Sequence, residues 1–212
     1  MDIEYKLIKN FGPSVFAVKI PKNIIIELNS YVDKIIDDKK ESEKQNYGKE
    51  LVGDVTQEIK IDQSAIQKTG WINFLITCTK KWIELETKKN ITKFNLKETW
   101  VVRQFQNEYN PIHWHSGHIS GAGFLKLPKS FGDFTQKKKG KNYCGGHLEL
   151  VHGSRMFLSN SKIEIIPKVG DFYFFPNYLM HTVYPFKDTE EERRSISFNA
   201  TIDDNIYNVY GK

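Results

Sequence analysis

The sequence predicts a mainly β protein with N-terminal helices, a double-sheet jelly roll or barrel core buttressed by two or more helices. Three observations predict it. Apolar residues recur at helical spacing over residues 1–93, and from Phe94 onward the texture changes to short β-type runs between turn residues. The 212 residues, 39% hydrophobic and 13% aromatic, also supply enough apolar surface for one sizeable core.

Pro21 opens the first helix, over residues 22–38, where Ile24, Ile25, Leu28, Tyr31, Val32, Ile35 and Ile36 form an apolar face that Asp37, Asp38, Lys39 and Lys40 end in solvent. The polar stretch 41–49 reads as a loop. A second helix carries Trp71, Phe74, Leu75, Cys78, Trp82 and Leu85 on one face, a stripe that reads as packing against a sheet rather than as a pocket lining. Eight β runs follow at 99–106, 112–115, 122–127, 147–151, 162–166, 171–175, 181–185 and 195–201, with turns at 107–111 and 168–171. There is no internal repeat and no linker. The expected organisation is therefore one domain over 1–212: a helix-rich part at 1–93, a β core at 94–202 and a tail at 203–212. The segment 131–143 is the expected mobile loop at the mouth, and Tyr207, Val209 and Tyr210 are candidates to cover an edge or a neighbour; oligomeric state stays open.

Composition narrows the setting. A net charge of +5 and a pI near 9.0 come mostly from scattered lysine. The run Lys137-Lys138-Lys139-Gly140-Lys141 reads as a solvated turn, leaving nucleic acid open but without support. Cys78 and Cys144 form neither a ligand spacing nor a disulfide framework. No apolar stretch has spanning length, so no membrane partner is expected, and the start Met-Asp-Ile-Glu-Tyr lacks the basic and apolar regions of a signal peptide. The expectation is a reducing, cytoplasmic setting.

The chemistry is carried by histidine and arginine. His113 and His115 alternate with Trp114, so on a strand both imidazoles share one face. His181 follows the apolar run and turn Gly170-Asp171-Phe172-Tyr173-Phe174-Phe175-Pro176, which delivers a third imidazole to the mouth. Imidazole suits iron, zinc, copper and nickel. In the final run Arg193, Ser195, Ser197 and Asn199 share one face and Ile196 and Phe198 the other. A face bearing Arg, Ser, Ser and Asn is odd for a core and sensible for a carboxylate pocket, because a guanidinium grips a carboxylate through two parallel hydrogen bonds.

Taken in order, Trp100-Val101-Val102, Asn110-Pro111-Ile112-His113-Trp114-His115, Ser120-Gly121-Ala122-Gly123-Phe124-Leu125, Gly145-Gly146-His147-Leu148, Val169-Gly170-Asp171, His181-Thr182-Val183 and Arg193-Arg194-Ser195-Ile196-Ser197 resemble the Fe(II)- and 2-oxoglutarate-dependent oxygenase superfamily. More closely, they are similar to its prolyl-hydroxylase-like branch in bacteria and phages, a resemblance that implies a host cytoplasm for a phage-encoded chain. The resemblance covers roughly residues 96–202, and Leu51-Val52-Gly53-Asp54-Val55 with the two helices also looks like the N-terminal part of phage members. It implies a double-stranded β-helix and a hydroxylase using Fe(II), 2-oxoglutarate and O2, with ascorbate admissible as reductant. The implied reaction hydroxylates an unactivated C–H bond, on a prolyl or other protein side chain or a small molecule, with release of succinate and CO2. It assigns His113 and His181 to iron, Arg193 and Ser195 to the distal carboxylate of 2-oxoglutarate, and Phe124 to a position where relatives carry a tyrosine touching that co-substrate.

The departure is His115, where most of the superfamily has an aspartate or glutamate. Either His115 is a third neutral ligand, or a carboxylate such as Glu149 or Asp133 arrives from elsewhere, or water or an anion takes the position. His118 and His147 are expected outside the ligand set, and Lys126 is left solvated. Two other readings stay open: a cupin-like three-histidine dioxygenase that uses no 2-oxoglutarate, and a β-barrel binding protein without turnover.

Overall fold

The computed structural model describes residues 3–8, 12–136 and 141–208. Most of the basic run, Lys137 to Gly140, and Val209 and Tyr210 lie outside the described residues. The strands are β1 (Tyr5–Ile8), β2 (Val15–Lys19), β3 (Gln57–Lys60), β4 (Phe94–Gln104), β5 (Asn110–His113), β6 (Ile119–Lys126), β7 (Leu148–Val151), β8 (Lys162–Ile165), β9 (Asp171–Pro176), β10 (Met180–Val183) and β11 (Arg193–Ile202). They form two antiparallel sheets, β1-β2-β9-β6-β11-β4-β3 and β5-β10-β7-β8. These are the two sheets of a jelly roll; they do not close into a barrel, so the mouth expected of a barrel is a gap between sheets.

All eight expected runs are strands, but residues 1–93 are not purely helical. They supply β1 and β2 at one edge of the large sheet and β3 at the other, with β2 paired to β9 and β3 to β4. The expected loop at 41–49 also begins as helix. Helix α1 (Lys22–Asp37) ends where Asp38 turns extended, and the Asp38 side chain then accepts from the N–H groups of Lys40 and Glu41 to cap a further helix, α2 (Lys39–Lys44). The aspartate that stops one helix starts the next.

Helices α1, α3 (Gln63–Lys68) and α4 (Trp71–Thr87) cover the outer face of the large sheet. Helix α1 buries Ile24, Leu28, Val32 and Ile35 there. From α4, Trp71 stacks on Phe74 and meets Phe172 edge-on, while Trp82 reaches Phe174. Both indole N–H groups are satisfied, Trp71 Nε1 donating to Thr99 Oγ1 at 3.1 Å and Trp82 Nε1 to Ser14 Oγ at 3.0 Å. The aromatic stripe is therefore packing, and burial pushes the Cys78 thiol beneath it up to about 12, an inert sulfur. Strand β6 admits the rings because Gly121 is bare: a Cβ there would lie 2.6 Å from Phe172 and 2.7 Å from Phe198. Among the described residues no helix is long and apolar enough to cross a membrane.

Strand β11 is pinned by an ion cluster at its start. Glu192, 6% exposed, accepts from Arg194 Nε and Arg103 Nε, both at 2.8 Å, and from Lys126 Nζ at 3.3 Å. Burial by itself raises its carboxyl, but the hydrogen bonds and charges of Arg194 and Arg103 outweigh that and hold it at about 2. Glu192→Ala is expected to cost about 3 kcal/mol, since it strands buried guanidinium groups. Urea denaturation at neutral pH measures it. The carboxylate's folded value is depressed, so its stabilisation is full above the ordinary glutamate range, near 4.3, and fades as pH falls toward 2. The variant's stability should vary less with pH over that interval.

Candidate active site

The gap between the sheets holds a cavity of about 270 Å³. The small sheet brings three imidazoles to it. His181 on β10 sits opposite His113 on β5, and their rings lie 4.2 Å apart between centroids. Strand β5 ends at His113, yet alternation persists: Trp114 is 66% exposed and His115 turns back in, its backbone clamped by Asn177, whose carbonyl accepts from His115 N at 3.0 Å and whose Nδ2 donates to His115 O at 3.1 Å. One nitrogen from each ring lies within 4.8 Å of the others.

Hydrogen bonding fixes which nitrogens are available. His113 Nδ1 donates to Pro111 O at 2.7 Å and His181 Nδ1 to Leu179 O at 2.9 Å; a carbonyl can only accept, so in the neutral rings both Nε2 atoms present lone pairs. His115 Nε2 stands 3.0 Å from His181 Nε2, so a proton or a cation must lie between two nitrogens that would otherwise repel. Burial lowers all three: His113 below its usual value, His115 to about 4 with help from neighbouring His113, and His181 well down, with His113 and His115 adding to the effect. Buried, neutral, convergent imidazoles are the donor set that binds a divalent transition metal.

No carboxylate joins this cluster among the described residues. Glu149, one of the two carboxylates considered from sequence, is Cα partner of Thr182 while Leu150 partners His181, so its side chain leaves by the opposite face, where Lys162 and Tyr184 hold it. Asp133, the other, is exposed. His118 Nδ1 accepts from Ile202 N at 3.1 Å and its ring stacks on Tyr207, fastening the C-terminal helix α5 (Asp204–Tyr207). His147 pairs with Glu164 at 2.6 Å.

The large sheet brings the polar face of β11. Arg193, Ser195, Ser197 and Asn199 all line the cavity, while Ile196 and Phe198 enter the helix-facing core. Arg193 is 1% exposed, donates from Nε to Gly146 O at 2.9 Å and from Nη1 to Ser195 Oγ at 3.2 Å, and lies 5.2 Å over the Phe124 ring. It has no carboxylate partner among the described residues. Burial pulls its value down to about 9, so the guanidinium stays charged at neutral pH. Arg194, one residue on, is its opposite: it faces α1 and is saturated by Glu192, Asn29 and Asp33. Lys126 does not assist Arg193, because an irregularity in the β6–β11 register turns it out to Glu192.

Sequence reasoning missed the remaining wall. Tyr47, Leu51, Val52, Glu58 and Glu98 also line the cavity, and the Leu51 to Val55 motif was the one pointer to this wall. Gly53 fits within it because a Cβ there would strike Asn110 Oδ1. Glu98 accepts from Tyr47 Oη at 2.5 Å and Asn199 Nδ2 at 2.7 Å; against the raising effect of burial, these bonds and the charge of Lys60 keep its carboxyl low.

Three imidazoles and a buried, unmatched guanidinium facing one cavity between jelly-roll sheets form a site fit for a divalent metal beside an anionic ligand. A family described as "Putative 2OG-Fe(II) oxygenase" matches residues 98–199, the span that carries every one of these groups. The match spans just under half of the chain and indicates an enzyme of the 2-oxoglutarate- and Fe(II)-dependent oxygenase type, whose cofactors are Fe(II), 2-oxoglutarate and O2. No curated protein sequence matches the chain. Among solved structures it is similar to a prolyl-4-hydroxylase of Pseudomonas putida, with TM-score 0.56 and 18% identity over 89% of this chain and 92% of that one. It is also similar to the viral collagen prolyl hydroxylase of Paramecium bursaria Chlorella virus-1, with TM-score 0.50 and 16% identity over 87% and 94%. A third is SnoN, the non-heme alpha-ketoglutarate-dependent epimerase of nogalamycin biosynthesis, with TM-score 0.58 and 14% identity over 87% and 76%. At these identities the likeness is one of fold, and the fold serves both hydroxylation and epimerisation.

Proposed function

We propose that the protein is a dioxygenase that hydroxylates an unactivated C–H bond, with His113, His115 and His181 holding Fe(II) and Arg193 and Ser195 holding the distal carboxylate of 2-oxoglutarate. The observation that carries this reading is Arg193: a charged guanidinium 1% exposed, without a carboxylate among the described residues, in the same cavity as three neutral imidazoles. A buried cation is costly unless paired, and a ligand carboxylate supplies the missing partner.

Bound Fe(II) with its co-substrate supplies the oxidising power, so that R–H, O2 and 2-oxoglutarate become R–OH, succinate and CO2. The chain's part is geometry. The carbonyls of Pro111 and Leu179 hold the His113 and His181 rings in the Nδ1–H tautomer, and Asn177 fixes the backbone from which His115 projects. Ser195 Oγ and Gly146 O orient Arg193, and Phe124 backs it with an apolar face that excludes water. Held at its distal carboxylate by Arg193 and Ser195, 2-oxoglutarate would have its orientation in the cavity restricted by these side chains. The prolyl-hydroxylase neighbours support a protein side chain as the acceptor.

The test is succinate formation from 2-oxoglutarate by Fe(II)-loaded protein in air, followed by NMR, with no succinate above the metal-free control counting against the reading. Arg193→Ala is expected to weaken 2-oxoglutarate by about ten- to a hundredfold, the worth of a charge-assisted hydrogen-bonded pair, while retaining iron. Arg194→Ala should instead lower the melting temperature, since it breaks the contacts to Glu192 and Asp33.

A second reading is favoured by the lack of a clustered carboxylate among the described residues: a three-imidazole dioxygenase that uses no 2-oxoglutarate. Arg193 weighs against it.

A further inference from the structure

The cavity has a second buried ionisable group that the proposed reaction does not use. Glu58, on edge strand β3, is 2% exposed and lines the cavity, yet its Oε2 has no hydrogen-bond partner. Register locates it. Glu58 pairs with Val102, Val102 with Ser195 and Ser195 with Phe124, so the four form one row across β3, β4, β11 and β6. Adjacent strands are about 4.8 Å apart, which puts the Glu58 backbone about 10 Å from Ser195. The row thus runs from Phe124, over whose ring the Arg193 guanidinium lies, to the carboxyl of Glu58.

The glutamates that line the cavity on this side differ: Glu50 is exposed to solvent, whereas Glu58 and Glu98 are not. Glu98 is already answered by Tyr47, Asn199 and the charge of Lys60. Glu58 is answered by nothing comparable: its value is pushed up to about 7 by burial alone. A buried acceptor without a donor is a cost the fold carries, and the chemistry that removes it is a cationic N–H donor arriving with a ligand. Trp114 at the same opening, 66% exposed, offers an aromatic face of the kind that attracts a cation. Among the described residues, Arg193 apart, no lysine or arginine side chain lines the cavity.

We infer that the substrate presents a cationic nitrogen, the ammonium or guanidinium of a basic amino acid, to Glu58. This rests on the dioxygenase reading and specifies its substrate class: a prolyl ring has no cation for this carboxylate. The same group can come from a basic residue within a peptide or from the free amino acid.

Both sources can be separated with protein loaded anaerobically with Fe(II) and 2-oxoglutarate. The probes are glycine-flanked pentapeptides with central lysine, arginine, norleucine, citrulline or proline, together with free L-lysine and L-arginine, titrated by calorimetry. Lysine over norleucine, and arginine over citrulline, should be preferred by about ten- to a hundredfold, in the peptide or the free form according to the source. Glu58→Gln should erase most of that gap. Wild-type protein needs no variant to fail this test: equal binding of basic and neutral isosteres, or preference for the prolyl peptide, overturns the inference, as does a gap that survives in folded Glu58→Gln. Iron and 2-oxoglutarate binding, measured first on the same sample, separate the two levels. Their failure overturns the dioxygenase reading and this inference with it, whereas loaded protein indifferent to charge overturns this inference alone.

Discussion

Replacing His181 by alanine is expected to remove Fe(II) from the protein while leaving the fold in place, and His113→Ala is expected to do the same. The two residues are Cα partners on neighbouring strands, each with Nδ1 committed to a backbone carbonyl and Nε2 bare. Losing either leaves two imidazoles and no carboxylate within reach among the described residues. The loss should exceed the ~10–100-fold that removing a mere outer-shell partner costs. The fold should survive because β10 stays paired on both sides, to β5 and β7. Metal content after desalting, with circular dichroism as the folding control, decides the matter. Stoichiometric iron in both folded variants would sink the three-imidazole site.

Much of this site was legible because its residues obey a local rule. His113 and His115 flank an exposed tryptophan, and Arg193, Ser195, Ser197 and Asn199 alternate with core residues, so period two alone separated cavity from packing. The β core was legible for the same reason. Strands β1, β2 and β3 were not. Strand β3 turns Ile59 into the helix-covered core and Glu58 into the cavity, so its four residues carry no apolar alternation that would mark a strand. Its pairing with β4 is set some forty residues away in sequence, where no local pattern records it. The same blindness hid Tyr47 and Glu98, which matter through the wall they share rather than through their neighbours in the chain.

His115 divides the two chemistries the cavity admits, and its substitution has the other large expected effect. His115→Ala should lower iron affinity, since its Nε2, 3.0 Å from that of His181, is the third donor of the cluster. His115→Asp should recover iron, because a carboxylate oxygen suits Fe(II) and completes two imidazoles and one anion, the facial set associated with non-heme iron oxygenases. Under the dioxygenase reading, the anionic ligand should also raise succinate formation above that of His115→Ala, to the wild-type rate or beyond. Aspartate is shorter than histidine, but Asn177 clamps the backbone at this position, so the substituted side chain starts from a fixed point. A three-imidazole enzyme behaves oppositely: it loses activity in His115→Asp and forms no succinate in any variant. Iron content and succinate release, measured together on wild type, His115→Ala and His115→Asp, separate the two. Full iron in His115→Ala would remove His115 from the ligand set and leave His113 and His181 as the only protein donors among the described residues.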